Sequence, residues 1–112
     1  MTQARWNAEI ELVARNGLPF TPFESKSGSV GFAGILVGKS GRRYEVVIKV
    51  PASEYPATEP KTYMEPKPEE HHWIRSGPRP YLCYQRAKGW NPAKSTFANC
   101  ILIAVKYVDA FD

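Results

Sequence analysis

Cysteine and uninterrupted apolar sequence are both scarce in this chain. Its 112 residues hold two cysteines, Cys83 and Cys100. That is too few for the disulfide scaffold of a small secreted domain, and it fits a reducing compartment. No apolar run approaches the ~20 residues that span a bilayer. The N-terminus lacks the basic start, apolar stretch and small-residue cleavage site of a signal peptide. Together these absences predict a cytoplasmic protein with no membrane partner. Low-complexity sequence, internal repeats and any sign of a domain boundary are also missing, so residues 1–112 read as one domain with enough chain for a single core. What is present is ordinary for a globular protein: 43% hydrophobic and 23% charged residues. The net charge of +4 is mildly basic. Its cations are scattered, with Lys39, Arg42 and Arg43 at one turn and Arg75, Arg79, Arg86 and Lys88 around Cys83. No nucleic-acid-binding motif accompanies them, so a solvated surface is expected rather than a nucleic-acid partner.

The order of elements is legible from periodicity and punctuation. A helix is predicted from about Gln3 to Asn16, with Trp6, Ile10 and Val13 at helical spacing and Gly17 as the stop. Leu18 to Lys26, with Pro19 and Pro22, reads as a connector. A strand is expected over about Ser29 to Val37, weakened by Gly31 and Gly34. Lys39-Ser40-Gly41-Arg42 reads as a hairpin turn, and Tyr44, Val46, Ile48 and Val50 alternate as a second strand. Seven prolines lie between Pro51 and Pro80, which predicts ordered but irregular chain with room for a short strand around Lys61 to Met64. A final helix is expected from Ser95 or Thr96, either of which can cap it, with Phe97, Ile101, Ala104, Val105, Val108 and Phe111 on its buried face. Helix, strand meander, long loop and helix make an α+β fold.

The long loop carries the chemistry. Cys83 lies in Pro80-Tyr81-Leu82-Cys83-Tyr84 and is followed by Trp90-Asn91-Pro92 and the last helix. Prolines before a thiol and a Trp-x-Pro corner after it make a rigid setting for a presented cysteine, which lowers the entropy cost of aligning reacting groups. A free thiol has a pKa of about 8.5. Arg79, Arg86, Lys88 or a histidine close to Cys83 would raise its thiolate fraction. Cys100, in Asn99-Cys100-Ile101-Leu102, is expected to pack as a small hydrophobe in the core. A zinc site from His71, His72 and Cys83 would lack the paired spacing and the fourth ligand of structural sites. Trp90 and Pro92 are read as packing residues, and Tyr81 and Tyr84 as aromatic neighbours of the thiol.

Several separated segments together resemble the ubiquitin-conjugating (E2, UBC-like) family. Val50-Pro51…Tyr55-Pro56…Pro60…Tyr63 resembles the family's Pro…Tyr-Pro…Pro passage between strands. His71-His72 stands where the family has His-Pro-Asn, Leu82-Cys83 resembles the active-site cysteine, and Trp90-Asn91-Pro92 the Trp-x-Pro that follows. The texture is closest to divergent bacterial E2-like proteins of antiphage or ubiquitin-like conjugation operons. The resemblance implies a UBC-like domain in which Cys83 carries a ubiquitin-like modifier, or another protein with a C-terminal glycine, as a thioester and passes it to an acceptor lysine. The implied partners are an E1-like activating enzyme, the modifier, the acceptor protein and a signalling nucleotidyltransferase. No cofactor is implied. Aminolysis needs donors for its oxyanion. The family asparagine that serves there has no counterpart in His71-His72-Trp73, so His71 or His72 is the candidate donor. The family's further C-terminal helices also have no counterpart, which predicts a minimal version of the fold whose core face is exposed, smaller or covered by a partner. The competing reading is a non-catalytic E2-variant or RWD-like interaction module on the same fold.

Overall fold

The computed structural model describes residues 1–68, 73–74, 79–82 and 89–112. Helix α1 runs over Gln3–Arg15. Thr2 caps it by accepting from the Arg5 amide at 3.1 Å, and Gly17 ends it at φ +64°, a conformation that costs glycine little. Trp6 and Val13 are buried as their spacing predicts, and Glu9 is buried between them.

Four strands follow as an antiparallel meander: β1 Phe20–Glu24, β2 Ser29–Val37, β3 Arg43–Pro51 and β4 Lys61–Glu65, in the spatial order β1-β2-β3-β4. The β2, β3 and β4 expectations hold within a residue or two. The Leu18–Lys26 connector does not, because β1 lies inside it. Pro22 is tolerated there since β1 is an edge strand that pairs on one side only. Phe20, Gly34, Val46 and Met64 form one inward row across the sheet. Gly34 has a packing reason, since a Cβ there would meet the Pro19 carbonyl oxygen at 2.4 Å and the Phe20 ring at 2.9 Å.

A 3-10 turn over Ala52–Glu54 leads into the proline-rich stretch, where the Tyr55–Pro56 and Glu65–Pro66 peptides are cis. Two further strands, β5 Trp73–Ile74 and β6 Tyr81–Leu82, pair as a separate two-stranded ribbon that the sequence does not announce. Two residues are too few for a period to register. Helix α2 covers Phe97–Phe111 and starts in a reciprocal cap: the Thr96 hydroxyl accepts from the Asn99 amide, and Asn99 Oδ1 accepts from the Thr96 amide. Phe97, Ile101, Ala104 and Val108 are buried as expected, and Tyr107 joins them.

Both helices pack on one face of the sheet. Trp6 of α1, Phe32 of β2 and Phe97 of α2 meet with ring centroids 5.2–5.8 Å apart. Such pairs contribute about 0.5–1.5 kcal/mol each beyond their area. The architecture is α+β, as expected. Among the described residues, no helix is long and apolar enough to cross a membrane.

Candidate functional site

Cys83, His71 and His72 lie outside the described residues, as do Tyr84, Arg86 and Lys88. Described residues flank those stretches in sequence. Leu82, 1% exposed, is the last described residue before Cys83, and Trp73 is the first after His72. These two are register partners in the β5–β6 ribbon, so the chain enters one stretch and leaves the other at the same end of one rung. The rung is anchored on α2: Trp73 Nε1 donates to the Tyr107 hydroxyl at 3.0 Å, and the two rings meet edge-on. Beside it Tyr81 packs against Tyr63 of β4, and the Arg79 guanidinium lies 4.8 Å from the Tyr63 ring centroid.

Description resumes at Gly89, with φ +76°, and the Trp90-Asn91-Pro92 corner. This corner is bonded from three directions. Trp90 Nε1 donates to the Pro56 carbonyl at 2.7 Å, and its ring packs 6.0 Å from that of Tyr55. Asn91 closes the turn on itself: its side chain accepts from the Ala93 amide, its carbonyl accepts from the Lys94 and Ser95 amides, and its own amide donates to Ser95 Oγ. From α1, Arg5 donates to the carbonyls of Pro92 at 3.2 Å and Ser95 at 2.8 Å. Trp90 is therefore a packing residue, as its sequence setting suggests, whereas Pro92 is exposed and contributes its backbone carbonyl.

Behind the corner sits a buried polar knot. Glu9, 2% exposed, accepts from Arg5 Nε at 2.9 Å, from the Phe97 amide at 3.0 Å and from the Tyr55 hydroxyl through a short bond. The Phe97 amide belongs to the first turn of α2, where the helix dipole favours a carboxylate. Burial, and then the bond to Glu9, pushes the Tyr55 hydroxyl pKa far up, so Tyr55 stays a donor. Glu9, Arg5 and Tyr55 thus tie α1, the Tyr-Pro passage and the start of α2 into one unit. The sequence held a signal for Glu9: it falls three residues after Trp6 and four before Val13, on the apolar stripe of α1.

A groove of about 450 Å³ runs from Trp90 along the outer side of α2, lined by Lys94, Asn99, Leu102, Ile103 and Lys106, with Cys100 at its floor. Leu102 is one of three exposed large hydrophobic residues among those described. Cys100 itself is buried, and desolvation raises its thiol pKa, which keeps it a thiol. Its assignment to the core holds. Among the described residues, no group of three or more His, Cys, Asp or Glu side chains is arranged to hold a metal ion. Of the aromatics and prolines that carry the resemblance, Tyr55 and Pro56 touch Trp90 directly. No family model, curated protein or solved structure matches the chain.

Proposed function

We propose that the chain is a UBC-like, E2-like carrier: Cys83 accepts a ubiquitin-like modifier, or another protein C-terminus, as a thioester and delivers it to a lysine amine. The observation that carries this reading is the bond from Trp90 Nε1 to the Pro56 carbonyl. It joins two segments 34 residues apart that resemble the family separately, on either side of the stretch that holds Cys83. The helix–meander–helix order supports the same reading.

The chemistry follows from the residue types. The Cys83 thiolate attacks the activated C-terminal carbonyl. The activator's thiol leaves, and the modifier is held as a thioester. An acceptor amine then attacks that carbonyl, loses a proton to solvent and expels the Cys83 thiolate. His71 or His72 supplies a donor to the tetrahedral oxyanion. The groove beside Trp90 and α2 offers a lining for a chain tail: Leu102 and Ile103 give apolar contact, and Lys94 and Lys106 flank it.

The test is a non-reducing gel of the chain incubated with an E1-like activator, ATP and its modifier. A thiol-sensitive adduct is expected that disappears in Cys83→Ser and survives in Cys100→Ser. Discharge to free lysine should slow when His71 and His72 are both alanine; unchanged discharge would remove the histidines from the mechanism. An independent check needs no partner. A thiol-reactive reagent should modify one cysteine of the native chain, with reaction lost in Cys83→Ser and retained in Cys100→Ser. A second reading, a non-catalytic interaction module, draws on the exposed apolar residues Ile35 and Val37 of the outer sheet face. It predicts no adduct with any activator and modifier pair.

A further inference from the structure

The two helices cover one face of the four-stranded sheet, and the other face carries an ordered pattern of charge. The strand registers place Lys49 beside Lys61 in one row. The next outward row is Ala33, Val47 and Tyr63. The row beyond that is Ile35, Glu45 and Glu65. Across these three rows Lys49 and Lys61 stand on one side of the central row and Glu45 and Glu65 on the other, while Arg43 lies one row beyond the carboxylates and the Arg79 guanidinium lies against the Tyr63 ring. Lys61, Glu45 and Glu65 are exposed, and Lys49 is half-buried with its ammonium 5.4 Å from the Tyr63 ring centroid. The same face carries Ile35, 40% exposed, and Val37, 58% exposed.

We propose that this face is an interface between two copies of the chain, stacked face to face about a two-fold axis along the Ala33–Val47–Tyr63 row. Such an axis exchanges the rows on either side of it. Lys49 of one copy then lies over Glu45 of the other, Lys61 lies over Glu65, and both pairs occur twice. Val47 meets its own counterpart at the centre, and Tyr63, with Tyr81 and the Arg79 guanidinium against its ring, faces its own counterpart beside it. One row further out, Arg43 and Val37 face the other copy's Pro51 and Ser29, which the same registers place symmetrically about the central row. Stacked sheets lie ~10 Å apart, a gap that apolar side chains fill from both sides. Isologous interfaces require this self-complementarity.

The charge pattern also selects against other occupants. A uniformly acidic partner, peptide or nucleic acid, gains over Lys49 and Lys61 but is repelled by Glu45 and Glu65, and a uniformly basic one meets the reverse. Only a partner with both signs in the mirrored order gains at both ends, and the chain's own face has that order. The proposal is independent of the thioester reading.

The experiment is analytical ultracentrifugation of the full chain in reductant, so that a Cys83 disulfide cannot supply the mass. The expected result is a concentration-dependent rise from the 12.6 kDa chain toward twice that mass, weakened by added salt. Lys49→Glu with Lys61→Glu should weaken association by about tenfold or more, and so should Glu45→Lys with Glu65→Lys. The two double variants, each monomeric alone, should form a heterodimer when mixed, because the four positions 45, 49, 61 and 65 are then all acidic on one face and all basic on the other. A single-chain mass at the highest attainable concentration would overturn the proposal. So would a mixture of the two variants that stays monomeric while both remain folded by circular dichroism, or a dimer that Leu102→Glu on α2 abolishes and the sheet variants leave intact.

Discussion

Two carboxylates in this molecule are held in nearly the same way, one inside and one at the surface. Glu9 accepts from the Tyr55 hydroxyl, a backbone amide and Arg5. Asp112 accepts from the Tyr44 hydroxyl, the Ser40 amide at 2.8 Å and Ser40 Oγ at 2.9 Å. Each joins a helix to a distant loop: Glu9 joins α1 to Tyr55 and the start of α2, and Asp112 joins the end of α2 to the β2–β3 turn. The two differ in solvent. Glu9 has no water to replace a lost partner, so its bonds are obligatory. Asp112 can exchange protein donors for water at little cost. Similar bonds therefore make a structural keystone in one place and a latch in the other. The keystone lies behind the Trp90 corner and the latch lies at a hairpin turn.

This contrast can be broken or sharpened by measurement. The largest effect is expected from Glu9→Ala, which leaves the buried Tyr55 hydroxyl and Phe97 amide without their acceptor. Leaving a buried donor without its acceptor costs about 1–3 kcal/mol each, to be read from urea unfolding, and Asp112→Ala should cost far less. A comparable loss for the two would erase the distinction. Next comes Tyr55→Phe, which removes one hydrogen bond to a buried carboxylate, worth about 1.5–3 kcal/mol. Tyr44→Phe should cost less. The same substitution has a pH signature. The folded pKa of Tyr55 is raised by burial and by Glu9. The stability it contributes is therefore fully present below the unfolded tyrosine value of about 10 and is lost as pH rises beyond it. Tyr55→Phe should flatten the alkaline fall in stability.

The smallest effect is expected at the latch. The Ser40 amide, and then the Tyr44 hydroxyl, hold the Asp112 carboxyl below its ordinary value. Its contribution is present above the unfolded carboxylate value of about 4 and is lost as pH falls through the lower folded value. Asp112→Asn should therefore lower stability slightly at neutral pH and remove a small part of the acid-side loss, so that the two proteins converge below the folded value. An unchanged acid limb in Asp112→Asn would show that the latch is open in solution.

Helix α1, strands β2 and β3, and helix α2 are legible in the sequence because each is long enough for its apolar period to repeat and each has a cap or turn residue at its ends. Thr2, Gly17, Gly41 and Thr96 stand where the chain changes element. Strand β1 is hidden because Pro19 and Pro22 signal a loop, and only its edge position makes Pro22 compatible with pairing. The β5–β6 ribbon is hidden because two residues cannot show a period. For the candidate site, the motif residues Tyr55, Pro56, Trp90, Asn91 and Pro92 and the core assignment of Cys100 are visible in one dimension. The network that holds them, Glu9 and Arg5 above all, is not.

The sequence by itself determined the α+β class, the main elements and the residue types on which the proposed function rests, because these depend on local propensity, period and the identity of side chains. Only the tertiary structure decided which distant segments touch. It set Trp90 against Pro56, put a carboxylate from α1 at the first turn of α2, and brought Lys49 and Lys61 into one row with Glu45 and Glu65 two rows away. The physical reason is that hydrogen-bond partners and sheet registers are settled by the shared burial of many elements at once. A glutamate on an apolar stripe becomes a keystone only when Tyr55, Arg5 and the Phe97 amide arrive at the same point.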